Sequence, residues 1–120
     1  EMLGHGGAEM LVYREDIVVP QIEPNEVLIK VLAAGVNNTD INTLIGWYSK
    51  SDASDDASWS GNALQFPRIQ GADVCGFIVG VGQDISADRI GERVLIEPCV
   101  TEVYGQDLPQ PWYFGSECDG

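Results

Sequence analysis

Leu32-Ala-Ala-Gly-Val-Asn-Asn-Thr-Asp-Ile-Asn-Thr-Leu-Ile-Gly-Trp-Tyr48 decides the fold, because a β-type run turns there into a short helix. The junction sets Asn37, Thr39 and Asp40 together, and polar groups at a strand end often serve chemistry. Just upstream, Glu26 to Val36 carries Val27, Ile29, Val31 and Ala33 on one face and Leu28, Leu32 and Ala34 on the other. Such a near-continuous apolar run predicts a central strand buried on both sides. Gly35 inside it points to a bulge or a close backbone approach. Asn38 or Thr39 can cap a helix of about two turns reaching Ile45, with Gly46 as its stop.

Outward from this stretch, Gly4-His5-Gly6-Gly7 is a turn cluster, Leu11 to Val19 reads as a strand ending at Pro20, and Pro20 to Asn25 is a connection. Ser49 to Leu64 is rich in Ser, Asp, Ala and Gly, and it is expected to be a mobile acidic loop because it offers little apolar surface to bury. Trp59 within it is read as a locally packed aromatic. Structure resumes at Phe66-Pro67. Gly71 to Val81 reads as a strand whose glycines at 71, 76 and 80, with Gly82 just beyond, let it coil as a small barrel corner requires. Gly82-Gln83-Asp84 is a turn, Ile85 to Gly91 a linker, and Glu92 to Ile96 a strand ended by Pro98. Recurring strands with one short helix predict a mostly β, partly open barrel with short helices and argue against a doubly wound α/β domain.

Composition bounds the function. At 120 residues the chain is one domain, long enough to bury about two thirds of its unfolded surface. Six Lys plus Arg stand against 19 Asp plus Glu, a formal charge of −13, which repels nucleic acid and anionic membrane surfaces. No apolar run approaches the roughly 20 residues of a membrane span, and no secretory signal opens the sequence. Cys75, Cys99 and Cys118 form no zinc-ribbon pair, and their odd number closes no disulfide framework, so a reducing cytoplasm is expected. Glu1 at the start and Gly-Ser-Glu-Cys-Asp-Gly at the end suggest a segment of a longer protein.

Most motif readings fail on context. His5 is the only histidine, and no Gly-x-Ser-x-Gly elbow accompanies its glycines, so the cluster is read as a turn. Gly76, Gly80 and Gly82 lie in a β pattern, not at a turn opening a helix, which rejects a dinucleotide phosphate loop. One histidine with dispersed cysteines gives no zinc spacing. Asn37-Asn38-Thr39 matches the glycosylation pattern by chance. Asn37, Thr39 and Asp40, with Tyr48 beyond, survive as candidates; the plainer reading of them is a helix cap with a favourable charge in the first turn.

At these residues the chain resembles the N-terminal GroES-like domain of the medium-chain dehydrogenase/reductase superfamily. The resemblance covers Gly4 to Gly120. It rests on Glu26-Val-Leu-Ile-Lys-Val-Leu-Ala-Ala-Gly-Val, the polar-x-x-Asp helix at Asn37 to Asp40, Pro67-Arg-Ile-Gln-Gly-Ala-Asp-Val-Cys-Gly-Phe-Ile-Val-Gly-Val-Gly, Gly91-Glu-Arg-Val and the closing segment. In the zinc alcohol dehydrogenases of that superfamily a Cys opens the polar-x-x-Asp motif and a His-Glu pair follows the later glycine. Here Asn37 stands in the first place and Ala72-Asp73 in the second, and neither Asn nor Ala is a usable zinc ligand. The structural-zinc lobe is also missing between Cys99 and Cys118.

Val-Asn-x-x-Asp with Tyr48 beyond the helix is similar to the zinc-free quinone oxidoreductase and enoyl reductase branch. The resemblance implies NADPH as cofactor, with Asn37, Asp40 and Tyr48 as cofactor-binding residues near the nicotinamide and no metal. It implies hydride transfer to a quinone, enone or related carbonyl as small-molecule substrate. Most cofactor contacts would come from a Rossmann domain downstream of Gly120, so the segment alone is expected to be inactive. The acidic insertion at 49–64 departs from the shorter loop usual in that branch and leaves the substrate class open. A homodimer of the full-length protein is also open. Two other readings stand beside this one: a non-catalytic β-barrel binding or assembly module, and a zinc-dependent alcohol dehydrogenase with altered ligands.

Overall fold

A computed structural model describes residues 1–50 and 63–120, without the side chains of 49 and 50. The acidic loop expected at 49–64, Trp59 included, therefore lies almost wholly outside the described residues; its last member, Leu64, is buried. Among the described residues five strands carry the architecture: β1 (Val27–Ala34), β2 (Val74–Val81), β3 (Arg93–Leu95), β4 (Cys99–Val103) and β5 (Gln106–Tyr113). The α-helix α1 (Asn38–Leu44) follows β1, and short 3₁₀ turns lie at Ala8–Met10, Trp47–Lys50 and Ala87–Arg89. The strands form a three-stranded antiparallel sheet in the order β1-β2-β3 and a separate β4-β5 hairpin. Neither sheet closes on itself, as a partly open GroES-like barrel requires.

The glycines of β2 explain why it is the central strand. A Cβ on Gly76 would lie 2.4 Å from the Lys30 carbonyl oxygen, so β1 approaches β2 as it does only because no side chain intervenes. Ile78 then points into the core at 1% exposure, with Met2, Leu64 and Ala72 as the other buried hydrophobic side chains among the described residues. The reading of the 26–36 run as a central strand buried on both sides is corrected here. Among the described residues β1 pairs with β2 alone, and from Lys30 onward it is exposed; Val31 and Leu32 are each 54% exposed. An apolar run reports affinity for burial, not which neighbour will supply it.

Two further readings change. Leu11 to Val19 is not a strand: only Leu11 bridges, to Met2, which also bridges Arg68, while Val18 and Val19 stay exposed. A strand needs a neighbouring edge, and residues 13–19 have none among the described residues. The Ile85–Gly91 linker contains a 3₁₀ turn, capped by Ser86 Oγ accepting from the Asp88 amide at 3.3 Å. The β4-β5 hairpin was not anticipated. Its two-residue turn places Tyr104 at φ 53° and Gly105 at φ 73°, the pair of positive angles that a type I′ turn demands.

The C-terminal segment is tied back by Asp119. Its Oδ1 accepts from Arg68 Nη1 and from the Ile69 amide, both at 3.0 Å. Arg68 is only 11% exposed, and its Nε is buried with no partner among the described residues, so Asp119 supplies the compensating charge. Asp119 itself is 57% exposed, which screens the pair. Asp119→Ala is expected to lower stability by about 1–2 kcal/mol in urea denaturation, chiefly by leaving the guanidinium poorly compensated. A variant with an unchanged midpoint would show that water already does the work of this carboxylate.

Candidate functional site

The β1-to-α1 junction builds its own polar cluster. Asn37 is the N-cap, correcting the expectation that Asn38 or Thr39 would be: its backbone is still extended (φ −134°, ψ 179°), and its Oδ1 accepts from the Thr39 amide at 2.7 Å. Asp40, three residues on, returns the bond, its Oδ2 accepting from the Asn37 amide at 2.8 Å. The result is a reciprocal capping box in which two backbone donors that the helix cannot satisfy are met by side chains. Thr39 Oγ1 also donates to Asn37 Oδ1.

A second segment then locks onto the cap. Asn37 Nδ2 donates to Asp73 Oδ2 at 2.5 Å, and Gln70 Nε2 donates to the Asp40 carbonyl at 3.1 Å. The approach is close because Gly35 has no side chain: its amide donates to the Asp73 carbonyl at 2.8 Å, and a Cβ there would lie 2.8 Å from Asp73 Cβ. The bulge or close approach expected at Gly35 is thus a close approach to the segment that precedes β2. Asn37 and Asp73 are exposed, while Thr39, Asp40 and Gln70 are half-buried.

Asn37 and Asp40 are therefore joined in one hydrogen-bonded unit. Tyr48 sits beyond it on the Trp47–Lys50 turn, reached through Gly46 at φ 66°, where the helix stops as its glycine predicts. Tyr48 is half-buried and meets Trp47 edge-on, with ring centroids 5.3 Å apart. Asp73 and Gln70 were not singled out as site residues. The signal for Asp73 was present, since the resemblance sets Ala72-Asp73 where the zinc enzymes carry their His-Glu pair.

The other end of α1 meets the N-terminal loop. His5 Nδ1 lies 2.8 Å from the Thr43 carbonyl, the Gly6 amide donates to the Leu44 carbonyl at 2.8 Å, and His5 packs edge-on against Phe66 at 5.1 Å. The cysteines are free thiols. Burial pushes the Cys118 thiol above its ordinary range, and Cys118 Sγ donates to the Tyr113 carbonyl at 3.7 Å. Among the described residues no group of three or more His, Cys, Asp or Glu converges, and no helix is long and apolar enough to cross a membrane.

Comparison with known proteins agrees with this architecture. Residues 23–108 match the alcohol dehydrogenase GroES-like domain. The chain is 36% identical to rat (Rattus norvegicus) quinone oxidoreductase over 101 residues, 84% of this chain and 27% of that protein. It is 31% identical to the chloroplastic NADPH-dependent alkenal/one oxidoreductase of Arabidopsis thaliana over 112 residues, 93% of this chain and 25% of that protein. A crystal structure of a Sinorhizobium meliloti 1021 protein assigned as an alcohol dehydrogenase superposes with a TM-score of 0.81 at 43% identity, over 99% of this chain and 34% of that one. The chain thus spans about a quarter to a third of the length of the relatives it matches. By fold, motif order and sequence, it belongs to the alcohol dehydrogenase GroES-like domain family of the medium-chain dehydrogenase/reductase oxidoreductases.

Proposed function

We propose that this chain is the substrate-side domain of an NADPH-dependent oxidoreductase that passes hydride to a quinone, enone or related carbonyl without a catalytic zinc. The observation that carries the reading is the bond from Asn37 Nδ2 to Asp73 Oδ2. Where the zinc enzymes gather ligands, this chain holds an amide against a carboxylate beside Ala72, which has no donor atom. Asn37 Oδ1 is already engaged by Thr39. This donor set does not fit zinc, which binds thiolate, imidazole and carboxylate.

The same groups suit a carboxamide. An amide nitrogen carries two N–H groups, and Asn37 uses one on Asp73; Asp40 commits one carboxylate oxygen to the cap and keeps a second. A donor and an acceptor side by side complement the carbonyl and NH₂ of a nicotinamide. NADPH, when bound, supplies the hydride. The residues of this chain orient the ring, with Asn37 donating, Asp40 accepting and Tyr48 bounding the cleft. A Rossmann domain following Gly120 would hold the rest of the cofactor and would cover apolar side chains exposed here, such as Val36, Ile41 and Trp47. Free thiols and strong negative charge suit a cytoplasmic protein acting on small molecules.

Full-length protein is expected to consume NADPH in the presence of a panel of quinones and enones, and to retain that activity after exhaustive chelation. Loss of turnover on chelation, restored by zinc, would replace this reading with a rearranged zinc enzyme. No turnover across the panel, together with no NADPH binding in a fluorescence titration, would favour a binding module.

A further inference from the structure

We propose that His5 is a positioning residue for the cofactor edge, acting through the C-terminal end of α1; this rests on the assignment of Asn37, Asp40 and Tyr48 to that edge. α1 has seven residues and buries only Thr43, while Ile41 and the following Ile45 are 53% and 44% exposed. A helix of about two turns is not stable by itself, and this one has little apolar burial to hold it. Hydrogen bonds from elsewhere in the chain hold it at both ends.

At the N-terminal end these come from Asp73 and Gln70. At the C-terminal end, where the Gly46 amide closes the last turn on the Thr43 carbonyl at 3.2 Å, they come from the N-terminal loop. The Gly6 amide meets the Leu44 carbonyl, and His5 Nδ1 meets the Thr43 carbonyl. A carbonyl oxygen only accepts, so the proton resides on Nδ1 and the imidazole donates. Phe66, with its ring at 88° to the imidazole, sets the plane of that donor. Releasing this end lets the short helix pivot or fray, and both halves of the proposed edge follow: Asn37 and Asp40 through the helix, Tyr48 through the turn after Gly46.

The test uses full-length protein carrying His5→Ala or His5→Asn, the latter returning an amide N–H near the place of Nδ1–H. Steady-state kinetics are read beside amide hydrogen exchange at Thr39 and Asp40, with the buried Ile78, whose amide donates to the Glu92 carbonyl just beyond the β2–β3 pairing, reporting global opening. His5→Ala should raise the KM for NADPH about fivefold and speed exchange at Thr39 and Asp40 about tenfold, leaving Ile78 unchanged; His5→Asn should bring both to within about twofold of wild type. A smaller folded fraction cannot move KM. Should His5→Ala not fold, His5→Phe keeps the packing against Phe66 without the donor and is read in the same way. Unchanged exchange at Thr39 and Asp40, equal acceleration at all three amides, or faster local exchange with an unchanged KM would each overturn the proposal. Asn37→Ala and Tyr48→Phe judge the edge separately: if they leave kinetics untouched the edge assignment fails, while the exchange data still decide whether His5 tethers the helix.

Discussion

Gly82→Ala is expected to unfold the domain or bring it close to unfolding, whereas Gly80→Ala, two residues earlier, should be tolerated. The strand and its flank are rich in glycine, yet the two positions differ in what a methyl group would meet. At Gly82 a Cβ would lie 2.1 Å from the Glu23 carbonyl oxygen and 2.3 Å from that of Pro24. Both are main-chain atoms with no rotamer to change. They are fixed further by the Gly82 amide bond to the Glu26 carbonyl and the Asp84 amide bond to the Pro24 carbonyl, each 2.8 Å. At Gly80 the nearest atoms would be Leu28 Cβ at 3.5 Å and Ile22 Cδ1 at 3.7 Å, ordinary contacts. Overpacking that must move backbone costs about 3 kcal/mol or more, a large part of a small domain's stability, while Gly80→Ala should stay within about 1 kcal/mol. Urea denaturation followed by circular dichroism compares them directly. Equal midpoints would mean that residues 23–24 do not pack against Gly82 in solution.

That contrast marks what the sequence could disclose. Glycines in a β pattern identified a tightly bent strand, and β2 is that strand, but composition could not say that Gly76 and Gly82 face backbone while Gly80 faces open side-chain space. Gly46 announced the helix stop because a positive φ there leaves few other residues possible. The β4-β5 hairpin gave no comparable signal. Tyr104 occupies a left-handed position that Asn or Asp usually fills, and Pro109 and Pro111 lie inside β5, where proline normally argues against a strand. The ladder accommodates them by slipping register between Val100 and Glu102, so that the prolines fall between paired residues. At the site, Asn37 and Asp40 stood out as polar residues at a strand end, but the cap was expected at Asn38 or Thr39, and the capping box that joins Asn37 to Asp40 was missed although it is a pattern within four residues. Gln70 was not legible, because its bond to Asp40 spans thirty residues and depends on the path of the chain between β1 and β2.

Asn37 serves as both helix cap and proposed cofactor donor, and two substitutions separate these roles. Asn37→Ala removes the acceptor for Thr39, the bond to Asp73 and the remaining N–H; Asn37→Ser restores a side-chain acceptor suited to the cap but neither amide hydrogen. Asn37→Ala should therefore destabilise the domain by about 1–2 kcal/mol, and Asn37→Ser by about half as much. Catalysis should not follow that order. If the amide donates to the cofactor, both variants lose the same donor, and kcat/KM for NADPH in the full-length enzyme should fall about tenfold to thirtyfold in each, corresponding to about 1.4–2 kcal/mol of lost transition-state stabilisation. Tyr48→Phe should lower turnover without touching the cap, since its ring stays in place against Trp47. The informative result is the serine variant. Should Asn37→Ser turn over like wild type while Asn37→Ala does not, the side chain contributes only by holding α1 in place, and the carboxamide-binding role passes to other residues of the cleft.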